Sequence, residues 1–246
     1  MQIEVPKKKK ICLICCRGGS KTIKNKNIKF FCSKPLIYWS INNILKSKVF
    51  DRIILSTDSK KIVKFVKKFK IEIPGLRPKK LATSKSNQFD THKYIFKKLN
   101  INDENSIVCV YNNNPFISSH LIVKSFNLFK KNKYRGLVVD AATVGGDYIA
   151  PKQFNISKNK ILYFNKKQFL RIKLNRQALK KFYTNIYNLR WGKPSVLANF
   201  DKFKEQIIKN NNKYIFLKKI QNFDLDDAED WKIAEAVFKC NEKKFF

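Results

Sequence analysis

The stretch Ile11–Leu36, ICLICCRGGSKTIKNKNIKFFCSKPL, decides the fold. Its first residues, Ile11 to Cys16, form an unbroken apolar run, which ends abruptly in Arg17-Gly18-Gly19-Ser20-Lys21. A short apolar run closed by a glycine pair reads as a buried strand delivering a tight loop. Two glycines let the backbone approach a ligand, and successive N–H groups in such a loop form an anion-binding concavity. Arg17, Lys21 and Lys26 add positive charge of the kind a polyphosphate neutralises. The loop matches neither GxxxxGK[ST] nor GxGxxG, so on these residues a plain turn and a phosphate site both stand open.

Outward from the loop, strand and helix patterns alternate. Pro35–Lys48 is helix-like with proline in its first turn. Asp51–Thr57 is a short strand, and Asp58–Lys70 an amphipathic helix capped by Thr57 or Asp58. A brief strand at Ile71–Ile73, a loop and a helix over Ser86–Leu99 come next. They lead to the buried strand Ser106–Tyr111, which ends in Asn112-Asn113-Asn114-Pro115. Helix Ser118–Lys131 and strand Gly136–Ala141 complete the regular part. This alternation predicts an α/β fold with a Rossmann-like, doubly wound, mostly parallel sheet, whose ligands bind beyond the carboxyl ends of the strands. From about 143 to 194 the pattern loosens, which reads as an inserted flap or dimerisation arm within a single domain spanning 1–246. Helix Phe200–Lys209, strand Tyr214–Leu217 and a last helix from Asp227 to Phe238 follow.

Bulk properties narrow the class. A chain of 246 residues buries a good core as one α/β domain. It has no apolar run of about 20 residues that would cross a bilayer, and its start, MQIEVPKKKK, lacks a signal-peptide pattern, so a cytoplasmic protein without a membrane partner is expected. The six cysteines include no pair of CxxC units, and His92 and His120 sit in separate helical patterns, which argues against zinc and disulfides. With 53 Lys and Arg against 18 Asp and Glu, the net charge is +35. Such a charge suits a polyanion. The lysines, however, are spread along the whole chain beside abundant Asn, Ile and Phe, all with AT-rich codons, so genome composition accounts for them without a specific nucleic-acid partner.

Asp224 and Asp226 flank one apolar residue before the last helix. On extended backbone, residues i and i+2 share a side, and two carboxylates there hold a hard divalent ion against a triphosphate. Capping and first-turn acids for the last helix would use the same residues. Arg77-Pro78 is either an anion site or an exposed turn.

Taken together, these segments resemble the acylneuraminate cytidylyltransferase family, and most of all its pseudaminic acid branch. The resemblance rests on Cys16–Lys21 with Ile23, Lys26 and Asn27, on Lys34–Ile37, on Phe50–Arg52 with Ser56–Asp58, and on Arg77, Pro78 and Leu81. Trp191-Gly192 and Asp224–Trp231 extend it to the chain's end. It implies transfer of CMP from CTP to a nonulosonic acid, with release of pyrophosphate, for surface glycan synthesis. It also implies Mg²⁺ on Asp224 and Asp226, and a homodimer. Arg17, Lys21 and Asp226 are the implied catalytic groups, and Arg17, Gly18, Gly19, Ser20, Lys21, Lys26, Asn27 and Arg77 the nucleotide-binding set. Tyr183–Gly192 departs from the branch, with Thr184–Asn188 where a His-Asp-Ala-Gly-Gln-like run is expected. That segment should shape the sugar pocket. Its change keeps three alternatives open: a sialic acid cytidylyltransferase, a keto-deoxy-octulosonate cytidylyltransferase, and a non-catalytic polyanion-binding homologue.

Overall fold

The computed structural model of the chain describes residues 8–20, 22–144, 154–157, 160–163, 182–218, 221 and 223–245. The apolar run becomes β1 (Lys9–Cys15), buried because it lies inside the sheet with layers on both faces. After the glycine loop come two short strands, β2 (Phe30–Phe31) and β3 (Lys34–Pro35), which pair with each other, and then helix α1 (Leu36–Ser47). The chain continues through β4 (Arg52–Ser56), α2 (Lys60–Val66), α3 (Gln88–Lys98), β5 (Ser106–Tyr111), α4 (Ser119–Lys131) and β6 (Val138–Val144). A hairpin, β7 (Phe154–Ser157) and β8 (Lys160–Tyr163), forms its own two-stranded sheet. Then follow β9 (Phe182–Gly192), α5 (Pro194–Leu197), α6 (Phe200–Ile207), β10 (Lys213–Leu217) and α7 (Ala228–Phe245).

The main sheet has the order β10-β6-β9-β5-β1-β4. All its pairings are parallel except those of β9, which runs antiparallel to both β5 and β6. The expected doubly wound, mostly parallel α/β sheet is therefore present. The span 143–194 differs in part from a wholly inserted arm, because Phe182–Gly192 is a central strand of the sheet. Much of the remainder of that span lies outside the described residues. The Ile71–Ile73 strand reduces to a single bridge between Ile54 and Glu72.

Two apolar layers cover the sheet. On one face Cys12, Ile14, Leu55, Cys109 and Tyr111 pack with Ile37, Ile41 and Ile44 of α1 and Ile122 and Phe129 of α4. Trp191 joins this layer, fully buried, with its indole N–H donating to Ser125 Oγ at 2.8 Å and its ring stacked on Phe50 at 5.3 Å. On the other face Ile11, Leu13, Val108 and Val110 pack with Phe89, Phe96 and Phe203.

A third cluster lies at the carboxyl end of the sheet. Phe31 is fully buried, with ring centroids 5.4 Å from Trp231, 5.1 Å from Phe238 and 6.2 Å from Phe116, all edge-to-face. Its carbonyl accepts from the Trp39 indole at 3.0 Å, and the next residue, Cys32, donates its N–H to the Glu235 carboxylate at 2.6 Å. Aromatic pairs in this geometry add to the stabilisation from burial alone. The cluster clamps α7 against the segment that follows β1. Replacing Phe31 with Ala should cost about 3–5 kcal/mol of stability, read as a lower urea midpoint, with accelerated amide exchange concentrated in α7.

Candidate functional site

The loop after β1, the end of β5, the middle of β9 and the segment before α7 enclose a cavity of about 700 Å³. Arg17, Ser20, Thr22, Lys26 and Asn27 from the glycine loop line it together with Asp224 and Asp226. The floor is Cys15, Asn112, Asn113, Ile186 and Asn188, with Phe223 at the edge. It lies beyond the carboxyl ends of β1 and β5, where an open α/β sheet places its ligands.

The structure thus brings together Arg17, Ser20, Lys26, Asn27, Asp224 and Asp226 out of the residues the sequence singled out. Lys21 lies outside the described residues. Gly18 and Gly19 have different roles. A Cβ on Gly18 would sit 2.7 Å from the Ser59 Cβ, whereas one on Gly19 would meet nothing within 4 Å. The Gly18 N–H donates to Asp58 Oδ1 at 2.8 Å, so it is committed inside the protein rather than held for an anion. Asp58 therefore does not cap α2. Ser59 does, accepting from the Ile62 N–H at 3.4 Å.

Arg77 and Asn27 are likewise tied to the protein. Arg77 is buried, with Nε on Ser56 Oγ at 3.1 Å, Nη2 on the Ser56 carbonyl at 2.6 Å and Nη1 on the Leu81 carbonyl at 3.4 Å. It braces the end of β4 against the following turn and is not among the residues lining the cavity. Asn27 donates to the Arg17 carbonyl at 2.9 Å and accepts from Asn113 Nδ2 at 2.8 Å, while Asn113 Oδ1 accepts from Ser40 Oγ at 2.6 Å. This amide relay joins the glycine loop, the end of β5 and α1.

Charge of both signs meets in the cavity. Lys26 Nζ stands 3.9 Å from Asp226 Oδ1, an exposed pair of little energetic weight by itself. The Asp224 carboxyl is pushed up, chiefly by partial burial and next by the Asp226 carboxylate, with Lys26 opposing. Two carboxylates set side by side are a donor set suited to a divalent cation. Among the described residues no group of three or more His, Cys, Asp or Glu side chains is disposed to hold a metal. A cation here would therefore take Asp224 and Asp226 together with substrate oxygens, a pattern that fits Mg²⁺. Burial pushes the Cys15 thiol up, with Arg77 and Arg190 opposing, and pushes Cys16 to about 12. Both stay protonated near neutral pH, so neither is an activated nucleophile. His92 is buried in α3, with Nδ1 2.7 Å from the Leu197 carbonyl, and burial lowers it to about 3. It is a neutral packing residue.

Ile186 and Asn188 were missed as individual site residues. Their strand reads poorly because the chain bulges there. Thr22 and Phe223 carried no signal beyond proximity to their motifs.

Residues 11–243 match the model of the cytidylyltransferase family. The pseudaminic acid cytidylyltransferase of Campylobacter jejuni serotype O:23/36 is 27% identical over 241 residues, covering 97% of this chain and 100% of that one. The CMP-N,N'-diacetyllegionaminic acid synthase of Legionella pneumophila is 25% identical, covering 95% and 97%. Among solved structures, a CMP:2-keto-3-deoxy-manno-octonic acid synthetase complexed with CTP superposes with a TM-score of 0.67 at 10% identity, covering 95% of this chain and 99% of that one. At that identity the likeness is one of fold.

The two loop glycines separate in their effects. Gly18→Ala should lower the urea midpoint by an amount equivalent to about 1–3 kcal/mol, because Ser59 and the start of α2 must shift. Gly19→Ala should stay within about 0.5 kcal/mol of the parent.

Proposed function

This chain belongs to the cytidylyltransferase family, and on that premise we propose that it transfers CMP from CTP to a nonulosonic acid of the pseudaminic type, releasing pyrophosphate. The observation that carries the reading is the convergence of Arg17, Ser20 and Lys26 with Asp224 and Asp226, from opposite ends of the sequence, on one cavity. A phosphate-binding side and a carboxylate pair facing it are the parts that nucleotidyl transfer needs.

In the proposed reaction the anomeric hydroxyl of the sugar acid attacks the α-phosphorus of CTP. The bond from that phosphorus to the bridging oxygen breaks, pyrophosphate leaves with the electron pair, and the hydroxyl proton passes to solvent water. Arg17 and Lys26, with Lys21 by resemblance, neutralise the triphosphate and the charge that gathers on the leaving group. Ser20 adds a hydroxyl donor. Asn27 holds the loop in place through the Arg17 carbonyl, and Arg77 braces the β4 end beneath it. Asp224 and Asp226 would hold Mg²⁺, which when bound supplies charge neutralisation across phosphate oxygens. The acceptor lies toward Asn112, Asn113 and Asn188. Their neutral amides suit hydroxyl and acylamino groups, which favours a nonulosonic acid.

The chain works as a homodimer in this reading. Tyr183 and Phe216 are 52% and 59% exposed with rings 5.0 Å apart, and β10, which carries Phe216, is an edge strand. An exposed aromatic pair on an open sheet edge is a surface that a second copy covers. No helix of the described residues is long and apolar enough to cross a membrane; a cytoplasmic location is part of the same proposal.

The test is pyrophosphate release with Mg²⁺, CTP and a panel of pseudaminic, legionaminic, sialic and keto-deoxy-octulosonic acids. The expected preference is for pseudaminic acid. No release with any acid, together with salt-sensitive binding to nucleic acid, would establish the polyanion-binding alternative instead. Asp226→Asn should reduce Mg²⁺-dependent turnover by about 100-fold or more without changing the unfolding midpoint appreciably. Unchanged turnover would refute the metal assignment. Sedimentation should show a dimer for the parent and a shift toward monomer for Phe216→Lys.

A further inference from the structure

The β6–β9 ladder breaks in the middle. Val139 pairs with Arg190 and Ala141 with Asn185, so the single residue Asp140 stands opposite the four residues Ile186 to Leu189. A bulge of this size leaves backbone N–H and C=O groups without ladder partners in the interior of a sheet. Tyr187 sits at φ 63°, in the left-handed region that a non-glycine residue adopts only when its surroundings hold it there.

Two side chains do the holding. Asp140, fully buried, accepts the Asn188 N–H on Oδ2 at 3.0 Å and the Leu189 N–H on Oδ1 at 3.1 Å. From the other side Asn112, at the end of β5, takes the carbonyls: its side-chain Nδ2 donates to Tyr187 O at 2.9 Å and its backbone N–H to Asn188 O at 2.8 Å. The outcome is that Ile186 and Asn188 line the cavity, while the Tyr187 ring packs 5.7 Å from Phe203 of α6.

We propose that Asp140 is a positioning residue which, with Asn112, fixes the bulge of β9 so that Asn188 forms part of the acceptor-sugar wall. The proposal rests on the cytidylyltransferase reading above and deepens it on the acceptor side. The chemistry of the position calls for a carboxylate. Two adjacent N–H groups need two acceptor oxygens and no donor, and an ionised Asp supplies that set where Asn or Ser brings a donor as well. Burial pushes the Asp140 carboxyl up to about 6, opposed by the Leu189 and Asn188 N–H groups and by the Arg190 guanidinium. An ionisable group held this deep is costly. It is offset here by the backbone bonds that shape the cavity wall. The wall thus made of Asn112, Asn113 and Asn188 presents neutral amides, a surface for hydroxyl and acylamino substituents.

The experiment is steady-state pyrophosphate release by the full chain, using CTP and whichever acid of the panel the parent turns over fastest. Asp140→Asn should raise KM for the sugar acid about tenfold or more and leave KM for CTP within about twofold. Ser125→Ala removes the partner of the Trp191 indole away from the cavity and serves as the control for a general loss of stability. It should move neither KM beyond about twofold. Amide exchange at Asn188 and Leu189 should also speed up in folded Asp140→Asn relative to β1. If that variant does not fold, Asp140→Ser, which keeps one acceptor, takes its place under the same criteria. An equal rise in both KM values, no rise in either, or failure of both variants to fold would overturn the assignment. A parent chain that releases no pyrophosphate with any acid would overturn the underlying reading of function and this assignment with it, whereas an active parent with an indifferent Asp140→Asn would overturn this assignment alone.

Discussion

The packing of Phe31 against Trp231, Phe238 and Phe116 is the contact on which the site depends. The basic residues of the cavity are encoded near residue 20 and the carboxylate pair near residue 225, so neither end makes the cavity alone. Burial of large rings is non-directional and roughly proportional to area, yet edge-to-face geometry gives it orientation. Here that orientation docks α7 onto the β2–β3 turn, and the bond from the Cys32 N–H to Glu235 keeps the helix from sliding along it. With Leu225 buried in the same cluster, the flanking Asp224 and Asp226 stay at the cavity edge. The alternation of acid, apolar, acid thus has one cause: the middle residue is the anchor, and its neighbours take the exposed positions.

Beneath the rim, the floor is built from amides and backbone rather than from charges. Asn27, Asn113 and Ser40 form one chain of hydrogen bonds, and Asn112 and Asp140 hold the bulge of β9 from its two sides. Connected polar networks of this kind are rigid when every member is satisfied, because an unpaired buried donor or acceptor costs more than the bond returns. That rigidity matters for a reaction in which two substrates must be held at a fixed separation. The cationic side chains Arg17 and Lys26 line the cavity from the glycine loop instead, Arg17 donating to the Thr83 carbonyl and Lys26 standing near Asp226. In a chain of net charge +35, the two aspartates stand out as a local exception.

Much of the fold was legible because its signals are local. Ile11–Cys15 and Ser106–Tyr111 are apolar runs bounded by turn residues, and they are buried parallel strands in the structure. The helices over Leu36–Ser47, Gln88–Lys98 and Ser119–Lys131 lie within a few residues of their patterns. What was not legible is non-local. Phe182–Gly192 does not alternate as a strand because four of its residues bulge around Asp140, a partner more than 40 positions away. An Asp inside Val138-Val139-Asp140-Ala141 reads as a flaw in a strand until the N–H groups it accepts are seen.

The same limit applies to the residues whose types were right and whose roles were not. An arginine in a loop after a strand looks alike whether it faces an anion or a carbonyl, and Arg77 faces the carbonyls of Ser56 and Leu81. A Gly-Gly turn looks alike whether its N–H groups are free or committed, and that of Gly18 belongs to Asp58. In both cases the motif marks a place where the backbone comes close to something, and the structure shows that the something is the protein's own β4–α2 corner. Gly18 is needed because Ser59 lies against it, and Arg77 because it ties the end of β4 to the turn at Leu81. The residues left to line the cavity are those that this scaffolding pushes outward, Arg17, Ser20 and Lys26. The glycine loop is therefore first a joint between β1 and α2, made where Gly18 meets Ser59 and Asp58.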